Sequence, residues 1–219
     1  MNDVIIFGIL DNAELAHYYL LNDSPHNVLG FTVHRQYMPE SGYFKDLPVY
    51  PFEDIEERFS PKKIKLFAPL SPSKMNQIKE EIYNEIRSKG FGFISYVSSR
   101  ATILTGQIGE NCFILEDNTL QPFTIIKENV TLWSGNHIGH HSRVDSHVTI
   151  TSHVVVSGHC HIEERCFLGV NSTLKDGIKL SNTTLVNMDA SITKDTEAER
   201  FYTGVPAKKI SDKPSYRFL

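Results

Sequence analysis

Between Ile108 and Ile192 every sixth residue is a branched aliphatic, running from Ile108, Ile114 and Leu120 to Leu180, Val186 and Ile192, fifteen positions without a miss. A helix repeats its buried face about every 3.6 residues and a strand every two, so neither gives a strict six. A stacked hexapeptide does. Each unit is a short strand plus a turn, too small to bury its apolar side chain until a neighbouring unit covers it. Two positions before the aliphatic residue the side chain is mostly small, as at Cys112, Asn118, Thr124, Asn136, Ser142, Cys160, Cys166, Ser172, Thr184 and Ala190. One large and one small inward residue per unit describe a narrow prism. Directly after the aliphatic position come Gly109, Gly139 and Gly169, or Asp145 and Asn187, residue types expected to take unusual turn dihedrals. Pro122 is the one proline in this stretch, as befits a chain whose N–H groups are committed to ladders.

The first hundred residues follow another pattern. Asp3–Ile9 reads as a buried strand, Asn12–Asn22 as an amphipathic helix, and Asn27–His34 as a second strand. Pro51–Phe59 carries a short helical pattern and Lys65–Ala68 a further strand. Ser71-Pro72-Ser73 reads as a helix start, with Met75, Ile78, Ile82 and Ile86 at helical spacing until Gly90. Phe91–Val97 closes the region as a last strand. Such alternation argues a small α/β domain whose ligand would sit at the carboxyl ends of its strands. In the first strand-to-helix turn, Gly8 to Glu14, Asp11 and Glu14 read as an N-cap and its capping-box partner. The expected organisation is therefore residues 1–100 as an α/β domain, 101–200 as the repeat, and 201–219 as a closing tail.

Composition narrows the function. A net charge of −4 gives no general pull toward nucleic acid or anionic membrane. No apolar run reaches the ~18 residues of a membrane span. The opening, Met1 to Phe7, lacks a basic region and reads as a strand rather than a signal peptide. All three cysteines occupy the small inward position, so a reduced, cytoplasmic protein without a disulfide framework is expected. Ten histidines are present, seven of them between 137 and 161. His141, His147, His153 and His159 share one outward phase and read as a solvated or inter-subunit surface, with His141 and His159, 18 residues apart, expected to stack. His140 stands alone in its phase, and one coil later its column holds Gly158. A histidine beside a position without a side chain leaves a slot for a linear thioester, and an imidazole suits proton acceptance at neutral pH. A backbone N–H facing the developing oxyanion would complete the chemistry.

The hexapeptide pattern, with the segment Gly135-Asn136-His137-Ile138-Gly139-His140-His141-Ser142, resembles the hexapeptide-repeat sugar acyltransferases, which acetylate sialic acid or UDP-amino-sugars. The resemblance implies a left-handed parallel β-helix of about five coils, three hexapeptides to a coil, behind a small Rossmann-like parallel sheet. It implies acetyl-CoA as acyl donor, a sugar or nucleotide-linked sugar of bacterial surface glycan synthesis as acceptor, and a homotrimer with active sites between neighbours. On the same resemblance His140 is the general base. His141 stands where relatives often carry an orienting glutamate. Thr149, Ser157 and Gly158 fall at pantetheine contacts, and Asn187, a further cofactor-binding candidate, stands in the stretch Val186 to Ala190 that replaces the family's glycine-rich coil. Gly204, Lys208 and Lys209, in the tail Tyr202 to Lys209, resemble the closing motif and either meet CoA phosphates or cap the prism. Gly8, Asn12, Trp133, Asn136 and His137 are the candidate acceptor contacts, Trp133 alternatively packing in the trimer interface. Relatives cradle the nucleotide on a glycine-rich first turn, whereas here one glycine is followed by two carboxylates, which repel phosphate at a helix start. Arg143, His161 and Lys179 form an 18-spaced column, read as a wet face rather than a CoA phosphate track.

No metal is expected on this reading. A different enzyme class remains open, because the same β-helix hosts zinc hydratases similar to the γ-type carbonic anhydrases and the histidine density here invites three imidazole ligands. A non-catalytic scaffold subunit is the third possibility.

Overall fold

The structure, a computed structural model, describes residues 1–218. Strand β1 (Asp3–Phe7) lies between two parallel neighbours, β2 (Asn27–Val33) and β5 (Ile64–Phe67). The sheet runs β3-β4-β2-β1-β5-β6, where β3 is Tyr43–Phe44, β4 Leu47–Pro51 and β6 Gly92–Phe93, and only the β3–β4 hairpin is antiparallel. Successive residues of β1 point to opposite faces, and Val4 to Phe7 are all apolar because both faces are covered. Val4 and Ile6 meet Ala13, Ala16 and Leu20 of α1 (Asp11–Asn22), while Ile5 and Phe7 meet Phe52, Ile82 and Ile86. The last two side chains belong to α3 (Gln77–Ser88), after the single turn of α2 (Ile55–Arg58).

Two local expectations are corrected. Helix α1 begins at Asp11 itself, with Leu10 at the N-cap and no side-chain cap. Asp11 and Glu14 therefore form no capping box, and Glu14 instead pairs with Lys45. Helix α3 does not start at Ser71–Ser73. Lys74, Met75 and Asn76 take positive φ of 52°, 54° and 63°, a left-handed turn that sinks Met75 and Asn76 into the interior before Gln77 starts the helix. Met75 is apolar because it is buried in that turn, not because it shares the α3 stripe.

Beyond the sheet the chain winds into the left-handed β-helix. Strands of two residues stack in register 18 apart on three parallel faces, for example Thr131↔Thr149, His137↔Val155 and Arg143↔His161. From Ile114 to Ile192 every sixth-position aliphatic is at most 1% exposed, so the predicted column is the core. The prism starts earlier than the strict repeat. Tyr96–Val97 pairs with Phe113–Ile114, and Thr102–Ile103 with Thr119–Leu120, each 17 residues apart, so the first coil is one residue short and its register is hidden. The boundary expected at residue 100 thus falls inside that coil.

The turns also differ from expectation in one respect. Gly109, Gly139 and Gly169 are not the left-handed residues; a Cβ on each would stand 2.5–2.6 Å from backbone of the next coil, so close approach is what excludes a side chain. The left-handed residue is the third after the aliphatic one, among them Asn129 (58°), His141 (58°), His147 (64°), His153 (60°), His159 (57°) and Asn171 (59°). The inward small residues satisfy turn backbone. Ser142 Oγ donates to Ser157 O (3.0 Å) and accepts from Cys160 N (3.0 Å). The three cysteines are free and buried, Cys112 and Cys166 with thiols pushed up to about 12 by burial. No helix is long and apolar enough to cross a membrane among the described residues.

Candidate active site

One corner of the prism gathers the chemistry. It joins the face that carries His137 and Val155 to the face that carries Arg143 and His161, and it is built from consecutive coils at 139–142, 157–160 and 175–178. His140 is exposed and lies over Gly158, where an added Cβ would stand 2.7 Å from its Cε1 and 2.9 Å from its Nε2. The same point is 2.9 Å from an Asp176 oxygen, so imidazole and carboxylate flank one slot with a bare backbone floor. Gly139 reaches this floor from the other side, a Cβ on it standing 2.6 Å from Gly158 N. The expected column His140, Gly158 is thus present, and Asp176 continues it.

At two equivalent positions of the coil the backbone donor points to a side chain one coil below. His140 N donates to Gln121 Oε1 (2.9 Å) and Asn182 N to Glu163 Oε2 (3.0 Å). The matching residue below Gly158 is Gly139, which has no side chain, and Gly158 N–H donates to no acceptor among the described residues. An uncommitted N–H aimed beside a histidine can bind an oxyanion.

Around His140 the imidazoles interlock. His140 Nδ1 and His141 Nδ1 are 3.1 Å apart, one donating and the other accepting. His141 and His159 stack at 4.9 Å with planes 14° apart, as their 18-residue spacing predicts, and Phe123 extends the column at 4.7 Å from His141. When His140 donates from Nδ1 to His141, its Nε2 keeps a lone pair toward the slot. Gln121, Phe123 and Asp176 were not singled out from sequence, although the 18-residue spacing from His140 and His141 reaches two of them.

A second corner looks equivalent in sequence and is not. His147 is buried, 7% exposed, beneath α3, which corrects the surface reading given to its phase. Its Nδ1 accepts from Asn129 Nδ2 (2.8 Å), Tyr83 meets its ring edge-on, and burial lowers its pKa to about 4. Beside it Lys79 is 2% exposed with Nζ on Thr131 Oγ1 (3.0 Å) and Thr149 Oγ1 (3.4 Å), its pKa lowered to about 7 by burial. Thr149 Oγ1 in turn donates to Asn76 Oδ1 (2.6 Å). Thr149 is therefore sealed between the domains and is no pantetheine contact.

Other candidates disperse. Asn136 is 1% exposed, its Oδ1 accepting from Val154 N inside the prism, so it offers nothing to an acceptor. Trp133 is half-buried and packs on the apolar cluster of the α/β domain of its own chain. Gly8 (φ 116°) and half-buried Asn12 form the β1–α1 turn, on the domain that covers a different side of the prism from His140. His137 and Ser157 remain beside the His140 corner, half-buried. Asn187 ties the tail to the last coil through Thr203 Oγ1 (3.0 Å). Gly204 O and Ala207 N hydrogen-bond to Ser191, on the face that carries His137 three coils earlier. Lys208, strand-paired with Thr203 at the edge of the adjoining face, is exposed, while Lys209 is paired with Glu197 (2.8 Å) and Asp212 (3.1 Å). The Arg143, His161 and Lys179 column is matched by carboxylates, His161 on Asp145 (2.7 Å) and Lys179 on Glu163 (2.8 Å), as the wet-face reading expects.

No family model matches the chain. Among solved structures it is similar to PerB from Caulobacter crescentus in complex with CoA and GDP-perosamine, at 17% identity and a TM-score of 0.82 over 96% of this chain and 98% of that one. It is also similar to the acetyltransferase domain of PglB from Neisseria gonorrhoeae with acetyl coenzyme A (16% identity, TM-score 0.81, 96% and 100% covered). WeeI from Acinetobacter baumannii gives 16% identity and a TM-score of 0.80 over 96% and 100%. The α/β sheet followed by a β-helix is thus shared with them from end to end.

Proposed function

We propose that this chain is a CoA-dependent acyltransferase, with acetyl-CoA as donor and an amino or hydroxyl group of a sugar or nucleotide-linked sugar as acceptor. The observation that carries the reading is the His140 corner: a base whose Nε2 faces a side-chain-free slot with the uncommitted Gly158 N–H beside it. The neighbours' bound CoA and GDP-perosamine support the substrate classes.

In this mechanism the acceptor nitrogen or oxygen attacks the thioester carbonyl carbon while His140 Nε2 takes its proton. Gly158 N–H holds the tetrahedral oxyanion. The carbon–sulfur bond then breaks and the thiolate of CoA leaves with the proton held by His140. No covalent enzyme intermediate forms. Ser157 and Gly158 floor the thioester, and the arm of CoA extends along the His137 face toward Gly204, with Lys208 at the edge of the adjoining face. Since the α/β domain covers another side of its own prism, the acceptor reaches His140 from a neighbouring copy, which supports a homotrimer. A cytoplasmic site of action fits the supply of acyl-CoA. His140→Ala is expected to lower turnover of acetyl-CoA with amino-sugar nucleotides by about 10²–10⁴ while CoA still binds. Retained turnover rejects the assignment.

A further inference from the structure

His140, His141 and His159 each offer a ring nitrogen, and these nitrogens lie within 4.8 Å of one another on one exposed corner. We propose that this corner binds a single borderline divalent transition-metal ion, of which zinc is the probe, and that the ion switches the transferase off. The second half of this inference rests on His140 being the base; the first half does not.

Three observations carry the site. The Nδ1 atoms of His140 and His141 are 3.1 Å apart. Two nitrogens each bound at ~2.0–2.1 Å to a tetrahedral zinc are about 3.3 Å apart, so little movement closes the pair on an ion. The fold also holds the three rings together, although the stacked pair must turn toward each other before both can point a lone pair at one ion. His141 and His159 stack, and His140 stands edge-on to both at 5.2 and 5.0 Å, with planes 86° and 84° apart. Their left-handed turns at φ 58° and 57° put the stacked pair on adjacent coils, whose spacing the ladder fixes. Third, the donor set is all imidazole. His161 is taken up by Asp145 at 2.7 Å and His147 is buried against Asn129, but none of these three rings is paired with a carboxylate among the described residues. Exposed neutral imidazoles suit zinc, copper or nickel and not magnesium or calcium, and the open side leaves a coordination position for water.

The consequence follows from one proton. A neutral imidazole has one lone pair, so when His140 Nδ1 holds the ion its remaining proton sits on Nε2. That nitrogen faces the slot and can no longer accept the proton of the attacking group. The ion therefore removes the base without blocking either substrate.

Zinc titration of chelator-treated full-length protein is expected to give one ion per chain, and cobalt in its place a tetrahedral visible spectrum. His159→Phe tests the site, because the stacked column already carries Phe123 one coil before His141. The variant is expected to keep the metal-free transferase rate, to bind zinc at least tenfold more weakly, and to lose inhibition by zinc. In wild type a chelator restores the rate. Equal zinc affinity in wild type and His159→Phe, or no binding by wild type at about 100 μM zinc, overturns the site. Full turnover by His140→Ala instead overturns His140 as the base and leaves the titration standing.

Discussion

His147 and His159 occupy the same left-handed position of the same repeat, and their fates are opposite. His147 lies under α3 with its Nδ1 satisfied by Asn129, its ring against Tyr83 and its charged form suppressed. His159 stands in the open, stacked on His141 beside the slot over Gly158. The repeat supplies a platform for an outward side chain at every corner; what covers that corner decides whether the side chain is sealed in or left exposed. One corner of the prism is sealed by the α/β domain and helps hold the molecule together, and another stands open to solvent.

The sealed corner gives the largest expected effect. Asn129 donates to Lys79 O (3.1 Å) and His147, and accepts from Asn111 Nδ2 (2.8 Å). Asn129→Ala strands all three groups, so a loss of about 3 kcal/mol or more is expected in a denaturant titration. Alanine at positive φ adds strain of its own, and Asn171→Ala, at the same turn position but exposed, measures that part separately. If the two variants lose equally, the seam contributes nothing.

The next effect appears on acidification. Folded His147 takes a proton only near pH 4, whereas an unfolded histidine takes one near pH 6.5. Between those values the unfolded chain binds the proton that the folded one refuses, so stability falls as pH falls, by on the order of 3 kcal/mol by pH 4. His147→Gln keeps an acceptor for Asn129 without titrating, and its advantage over wild type is expected to grow from pH 7 to pH 4.5. A difference independent of pH would mean that water reaches the seam. At the open corner the comparison turns from stability to rate. Gly158→Ala places a methyl against His140 Cε1, and kcat/KM is expected to fall by about tenfold to a hundredfold with little change in unfolding midpoint. A rate unchanged by that methyl would show that His140 needs no slot.

Much of this contrast was out of reach of the pattern alone. A period of six defines the prism, its inward residues and the His140–Gly158 column, because covalent spacing fixes which residues stack. It says nothing about which outward corner a separate domain covers. Thr149, Asn136 and Trp133 matched the resemblance by position, yet the seam and the interior claim them. In the α/β domain, Met75 kept helical spacing while lying in a left-handed turn, since burial, not helix, put an apolar residue there. The first coil does not show in the period because it is one residue short. Asp176 was legible by the 18-residue spacing from Gly158, but a lone exposed carboxylate carries no signal until the bare backbone between it and His140 is seen.

The smallest expected effect concerns the partner of His140. His141 is a neutral acceptor for Nδ1–H, whereas a carboxylate there would stabilise the imidazolium as it forms. His141→Glu is therefore expected to raise kcat severalfold, His141→Gln to lower it slightly, and His141→Leu to lower it about tenfold, with KM steady throughout because the ring does not face the slot. The glutamine matters most to the argument. It keeps an acceptor and loses the stack on His159, so its similarity to wild type assigns the effect of leucine to the hydrogen bond rather than to the column. Equal turnover by all four proteins would mean that the tautomer of His140 is set from the other side, where Asp176 is the one carboxylate flanking the slot.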